Sequence, residues 1–72
     1  MTFEKATMDE VKKQLERKYD IQVLFAEKDI ELLELTAELK SRSLRNVLET
    51  ISLSLNLSFD LDQEVVKFKK LP

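Results

Sequence analysis

The two halves of this sequence are similar to each other. When the chain is shifted by 36 positions, residues 7–25 align with residues 43–61, and the apolar pattern of the first segment falls on apolar residues of the second. Thr7 then corresponds to Ser43. Each half has the pattern of a capped amphipathic helix, a corner and an alternating strand. The sequence therefore predicts a small scaffold of two matching units.

Both predicted helices have clear ends. Thr7 is a preferred N-cap residue, and Glu10 three positions later completes a capping box; Ser43 caps the second helix. Asp20 and Asn56 lie where a left-handed residue commonly ends a helix. Apolar residues at helical spacing predict that each helix buries one face. These residues are Met8, Val11, Leu15 and Tyr19 in the first helix, and Leu44, Val47, Leu48, Ile51 and Leu55 in the second.

The strands follow from period-two alternation. Ile21–Phe25, Leu57–Leu61 and Val65–Lys69 are predicted strands, with a turn at 62–63 that makes the last two a hairpin. Residues 26–40 are rich in helix formers. We nevertheless predict a short turn around 27–29 and a strand over Leu33–Lys40, because Leu33, Leu35, Ala37 and Leu39 alternate with polar residues.

The repeat supports that strand, since Leu39 corresponds to Phe3 and each helix should be entered from a strand. We therefore predict an α+β fold of two βαβ-like repeats (β-α-β-β-α-β-β), with two helices packed against small mixed β-sheets. Strands that are joined through a helix are expected to form crossover units.

The composition limits the function of this single domain of 72 residues. The chain has no cysteine, histidine or glycine, so it lacks thiol nucleophiles, the commonest general base and any glycine-rich phosphate loop. Its 12 basic and 14 acidic residues are mixed along the chain, without the basic stripe of a nucleic-acid-binding protein. No apolar run approaches the roughly 20 residues of a membrane-spanning helix. We predict a non-catalytic protein with no cofactor, no metal site, no bound nucleic acid and no membrane insertion of this segment.

Some leucines are candidates for partner binding. Leu53 projects from the opposite side of the second helix; we favour a place in a second layer of the core, with exposure or an interface as alternatives. Leu32 and Leu33 belong to a cluster that cannot bury all its leucines in any one conformation, so this cluster is the best candidate for an adhesive surface. Tyr19 is expected to bury its ring while its hydroxyl reaches the surface.

Open strand edges are the other candidates. We expect a partner to add a strand at such an edge, where main-chain hydrogen bonds supply affinity and alternate side chains supply selectivity. The last strand and the strand around Phe3 are the predicted edges, and Val65, Lys67 and Lys69 are the candidate contacts on the last strand. Lysine is also common on exposed edges because it discourages aggregation.

The helix caps and the apolar positions lie in three segments, residues 7–23, 43–61 and 65–69. Together these segments resemble the C-terminal domain of FecR-type anti-sigma regulators. That domain is related to the short N-terminal domain of secretins and TonB-dependent transporters. The resemblance extends from about Phe3 to Phe68. This chain departs from the family pattern in having no glycine at the helix ends or in the final turn.

The resemblance implies a periplasmic domain of an inner-membrane protein, with two helices held between two small sheets. Its implied partner is an envelope protein, the signalling domain of a TonB-dependent transporter. One alternative is that this chain is itself the N-terminal signalling domain of such a transporter or of a secretin, which forms the other half of the same contact. A small nucleic-acid-binding module and a small hydrolase are more distant alternatives. The sequence does not fix the oligomeric state.

Overall fold

A computed structural model describes residues 1–40 and 42–72. Within these residues the chain forms five strands, two α-helices and one 3-10 helix, Lys28–Leu32. The strands and α-helices, in chain order, are β1 (Thr2–Thr7), α1 (Met8–Tyr19), β2 (Gln22–Phe25), β3 (Glu34–Glu38), α2 (Leu44–Leu55), β4 (Leu57–Asp62) and β5 (Val65–Lys70). The predicted α+β fold and its order of elements are confirmed, including the strand in the leucine-rich segment.

The strands belong to two sheets. β1 pairs with β3 in an antiparallel sheet, and the other sheet has the order β2–β5–β4. In the second sheet β5 is parallel to β2 and antiparallel to β4. The predicted hairpin of the last two strands is therefore confirmed, with its turn at 63–64 in place of 62–63.

The predicted caps end both helices. The Thr7 side chain accepts a hydrogen bond from the Glu10 N–H, and the Ser43 side chain accepts one from the Asn46 N–H. Asp20 and Asn56 both adopt left-handed backbone angles, with φ of 55° and 56°. Short polar side chains tolerate this conformation better than most others, so they end the helices in a chain without glycine.

Two predictions about the strands are wrong. β5 is the central strand of its sheet and not an edge, because β2 pairs with it on the side opposite β4. The helices also do not form crossover units within one sheet. α1 connects β1 and β2, and α2 connects β3 and β4, so each helix leads from one sheet to the other.

Both helices contact strands of both sheets, as expected from two helices held between two sheets. Their apolar stripes meet the inner faces of the sheets in one core. The largest fully buried side chains are Phe68, Met8, Leu15, Ile30, Leu35, Leu48 and Ile51. Leu15 and its repeat counterpart Ile51 are both fully buried, so the two units share one core.

The burial of two side chains differs from the prediction. Leu53 is 82% exposed, so it does not belong to a second layer of the core. The sheets cover the faces of α2 that carry Val47, Leu48 and Ile51, and Leu53 projects away from these residues. The Tyr19 hydroxyl is buried, whereas we had expected it at the surface, and it has no hydrogen-bond partner among the described residues.

Candidate functional site

The sheet edges differ in how well they are protected. At the β2 edge, the Val23 N–H donates to the carboxylate of Glu16 on α1 at 2.9 Å, so a side chain occupies a position where an added strand would pair. In β1 the register shifts between Phe3 and Ala6, and Lys5 has a φ of 50°. Such a bulge bends a strand and disturbs regular pairing. These two edges are poor templates for a further strand.

The β4 edge is regular and unpaired. β4 runs for six residues in continuous register with β5, and no strand of residues 1–40 or 42–72 pairs with its other side. The Leu71 N–H donates to the Asn56 carbonyl, which places this pair in hydrogen-bonded register. Because an antiparallel ladder alternates, the N–H and C=O groups of Leu57, Phe59 and Leu61 point away from β5. We call this side the open edge of β4.

A groove follows the open edge. It lies between α2 and β4 and has a volume of about 380 Å³. Its lining residues are Glu49, Ser52, Leu53, Leu57, Ser58 and Phe59. Three of these six side chains are large and apolar, so the open edge has a hydrophobic surface beside it. We call this feature the α2–β4 groove.

Three side chains define the chemistry of the α2–β4 groove. Leu53 provides a large exposed apolar surface on the helix wall. Phe59 is partly buried on the strand wall, and the Arg45 guanidinium lies 5.9 Å from the centre of its ring. The Ser52 Oγ is buried, and no residue that the structure describes forms a hydrogen bond with it. A buried hydroxyl without a partner is unfavourable, so Ser52 is a polar defect in the wall of the groove.

The strand beside the groove carries two carboxylates on its outer face. Side chains of β4 alternate, so Ser58, Asp60 and Asp62 lie on the face opposite the core. Asp60 lies directly opposite Lys67 and forms an exposed ion pair with Lys69 at 3.7 Å, whereas Asp62 lies opposite the apolar Val65. On this face Asp60 therefore has lysine neighbours on β5, and Asp62 is the carboxylate that lies opposite an uncharged residue.

A second charged cluster ties the last strand to the 3-10 helix. The Lys70 ammonium bonds to the Asp29 carboxylate, and the Lys70 N–H donates to the Glu27 carboxylate at 3.2 Å. The hydrogen bond from Lys70 lowers the pKa of the Asp29 carboxyl below its usual value. These contacts are solvent-exposed, so they fix the end of β5 and do not form a site.

The six residues predicted to bind a partner lie on separate surfaces. Leu53 lines the α2–β4 groove. Leu32 is 74% exposed in the 3-10 helix, whereas Leu33 packs partly against the core. The remaining three, Val65, Lys67 and Lys69, lie on the outer face of β5 in the middle of the sheet. The backbone of β5 already pairs with β2 on one side and with β4 on the other, so this strand cannot receive another.

Most groove residues were missed by the sequence interpretation. The alternating pattern predicts a strand over Leu57, Ser58 and Phe59, but no local pattern indicates that this strand is an edge. Ser52 did carry a signal, since it lies four residues after Leu48 and three before Leu55 within the apolar arc of α2. A polar residue at such a position indicates that part of the arc is not ordinary core.

Residues 1–40 and 42–72 also bear on membrane crossing and metal binding. None of their helices has the length and apolar character that crossing a membrane requires. No group of three or more acidic side chains in this part of the chain could hold a metal ion.

The sequence and the fold are similar to known proteins. The family model described as FecR, C-terminal matches residues 1–67. Two crystal structures at 1.65 and 2.50 Å, described as a candidate anti-sigma factor from Parabacteroides distasonis ATCC 8503, share the fold with TM-scores of 0.86 and 0.87. Both are 19% identical to this chain; they cover 100% of it, and it spans 34% of theirs. No curated protein matches the sequence.

Proposed function

Because this chain belongs to the FecR C-terminal family, we propose that it is the signal-receiving domain of an anti-sigma regulator and acts by binding another protein. Families of anti-sigma factors work through protein partners, and a domain of this kind needs an accessible contact surface. We infer a non-catalytic role, in which binding itself carries the signal. The similar solved chains are about three times as long, which leaves room for further parts of such a regulator.

The observation that carries this proposal is the α2–β4 groove. An exposed leucine, a partly buried phenylalanine and an unpaired strand edge lie together there. Single exposed leucines are common, but an apolar groove beside unpaired backbone groups is typical of surfaces that bind a protein segment. Protein binding is therefore supported by the site as well as by the family.

We further propose the location and the partner. FecR-type regulators resemble this chain in their periplasmic C-terminal part, so we place the domain in the periplasm, on a protein that is anchored in the inner membrane. The proposed partner is the N-terminal signalling domain of a TonB-dependent outer-membrane transporter. In this role the domain receives the signal that the transporter has bound its substrate.

Isothermal titration calorimetry tests the proposal. The 72-residue chain is titrated with the N-terminal domain of the TonB-dependent transporter that is encoded beside its gene. We expect a one-to-one complex with a dissociation constant on the order of micromolar, as is common for transient signalling contacts. The N-terminal domain of a transporter from a distant operon is the control. Equal binding of both domains, or of neither, contradicts the proposed partner.

A further inference from the structure

We propose that the α2–β4 groove binds an extended segment of the partner, in which apolar residues alternate with lysine or arginine. The identity of the partner rests on the proposed function, whereas the chemistry of the segment follows from the groove. The segment adds a strand to the open edge of β4 and extends the β2–β5–β4 sheet.

The backbone of β4 sets the conformation of this segment. Leu57, Phe59 and Leu61 direct their N–H and C=O groups to the open edge at alternate positions. These groups form a regular ladder with another chain only when that chain is itself extended. A helix placed in the groove would leave the backbone groups of β4 without partners.

The inner side of the added strand meets an apolar surface. Directly opposite residues of neighbouring strands project to the same face of a sheet. The segment's residues opposite Leu57, Phe59 and Leu61 therefore face α2, where Leu53 and Phe59 line the groove. Apolar side chains at these positions cover Leu53.

The outer side of the added strand meets carboxylates. The segment's residues opposite Ser58, Asp60 and Asp62 share a face with these side chains. Opposite charges on neighbouring strands are favourable, and like charges in direct contact are unfavourable. Lysine or arginine at these positions pairs chiefly with Asp62, which lies opposite Val65 and not opposite a lysine, and glutamate would be rejected.

The same charges disfavour a second copy of this chain as the occupant. If two copies paired through β4, each would bring Asp60 and Asp62 to the same outer face as those of its neighbour. Four carboxylates would then lie on two adjacent strands, where repulsion opposes pairing. The groove is therefore better suited to a different chain with basic residues.

Synthetic peptides test the pattern directly. The probe is an octapeptide of alternating valine and lysine with both ends blocked. Its binding is followed through the backbone amide chemical shifts of the isotopically labelled domain. Two controls are an alternating valine–glutamate peptide and a peptide in which the same valines and lysines occur in pairs. We expect the alternating valine–lysine peptide to shift Leu57, Phe59 and Leu61 selectively. Equal effects of the alternating and paired peptides, or no shift at β4, would overturn the inference.

Two matched variants test the surface. Leu53→Glu and Leu32→Glu each change one strongly exposed leucine, at 82% and 74% exposure, so neither should impair folding. We expect Leu53→Glu to weaken binding of the alternating peptide by about tenfold or more, and Leu32→Glu to leave it within about twofold. Asp62→Lys should shift the preference towards the valine–glutamate peptide. Similar losses in both leucine variants would overturn the inference.

Binding of the transporter domain separates this inference from the proposed function. If that domain binds the unmodified chain and Leu53→Glu equally, the groove is wrong and the proposed partner remains supported. If it does not bind while the alternating peptide does, the proposed partner is wrong and the groove remains supported.

Discussion

Among the described residues, four non-glycine positions adopt a positive φ angle: Lys5, Asp20, Asn56 and Gln63. The left-handed conformation is unfavourable for residues that carry a Cβ atom. The sequence predicted it at the two helix ends, because Asp and Asn end helices at equivalent places in the repeat. It did not predict the bulge at Lys5, since nothing in the sequence around a lysine indicates a positive φ.

Glycine at a helix end should therefore stabilise the protein. We expect Asp20→Gly to raise the free energy of unfolding by about 0.5 kcal/mol, because glycine adopts the left-handed angles without a steric penalty. Lys13→Gly, within the exposed face of α1, is the matched control and should lower the free energy by about 1 kcal/mol. Urea denaturation measures both. A loss of stability in Asp20→Gly would contradict the assigned helix end.

The contact between Asp29 and Lys70 predicts a change in ionisation. Lys70→Gln removes the hydrogen bond that lowers the pKa of Asp29, so this pKa should rise towards its usual value. A lowered pKa in the folded state means that the contact stabilises the protein above the unfolded pKa, and that this stability is lost as the pH falls through the folded pKa. Carboxyl resonances followed through a pH titration measure the change. An unchanged pKa of Asp29 would show that the contact does not form in solution.

At the scale of elements, the sequence predicted what each segment forms better than what it pairs with. Caps, apolar stripes and alternation are local signals, and they located both helices and the hairpin. The strand Glu34–Glu38 was also found, despite helix-forming composition, because the alternation and the repeat agreed. The parallel pairing of β2 with β5 joins segments about 40 residues apart in the chain and leaves no local signal. The edge was therefore assigned to β5, and the groove beside β4 was missed.

Amide hydrogen exchange tests the central position of β5. Val66 and Phe68 direct their N–H groups to β2, and Lys67 and Lys69 direct theirs to β4. We expect slow exchange at all four consecutive amides of the free domain. If β5 were an edge strand next to β4 alone, Val66 and Phe68 would exchange rapidly while Lys67 and Lys69 stayed protected.

At the scale of the whole molecule, the two halves of the repeat are one folding unit. Leu15 and Ile51 correspond in the repeat and are both fully buried in the shared core. Leu15→Asp and Ile51→Asp each place a carboxylate in this core, which is strongly unfavourable without a partner. We expect either change to abolish the cooperative thermal transition. The controls are Gln14→Asp and Thr50→Asp at exposed neighbouring positions. A cooperative transition in either core variant would mean that the units fold independently.

The repeat also helps to locate the proposed function, because its halves differ where the molecule is open. The strand that follows α1 is protected by Glu16, whereas the strand that follows α2 has an unpaired edge beside Leu53. Equivalent elements thus have different surroundings. The proposed binding surface therefore lies on the second unit, and the first unit supplies much of the core that supports it.

Amide hydrogen exchange of β4, with and without the proposed partner, the N-terminal domain of a TonB-dependent transporter, tests the account most directly. In the free domain the amides of Ser58, Asp60 and Asp62 should be protected by β5, and those of Leu57, Phe59 and Leu61 should exchange faster. Binding should slow exchange at Leu57, Phe59 and Leu61, because an added strand accepts their hydrogen bonds. A complex that forms while these three amides exchange as in the free domain would contradict the account.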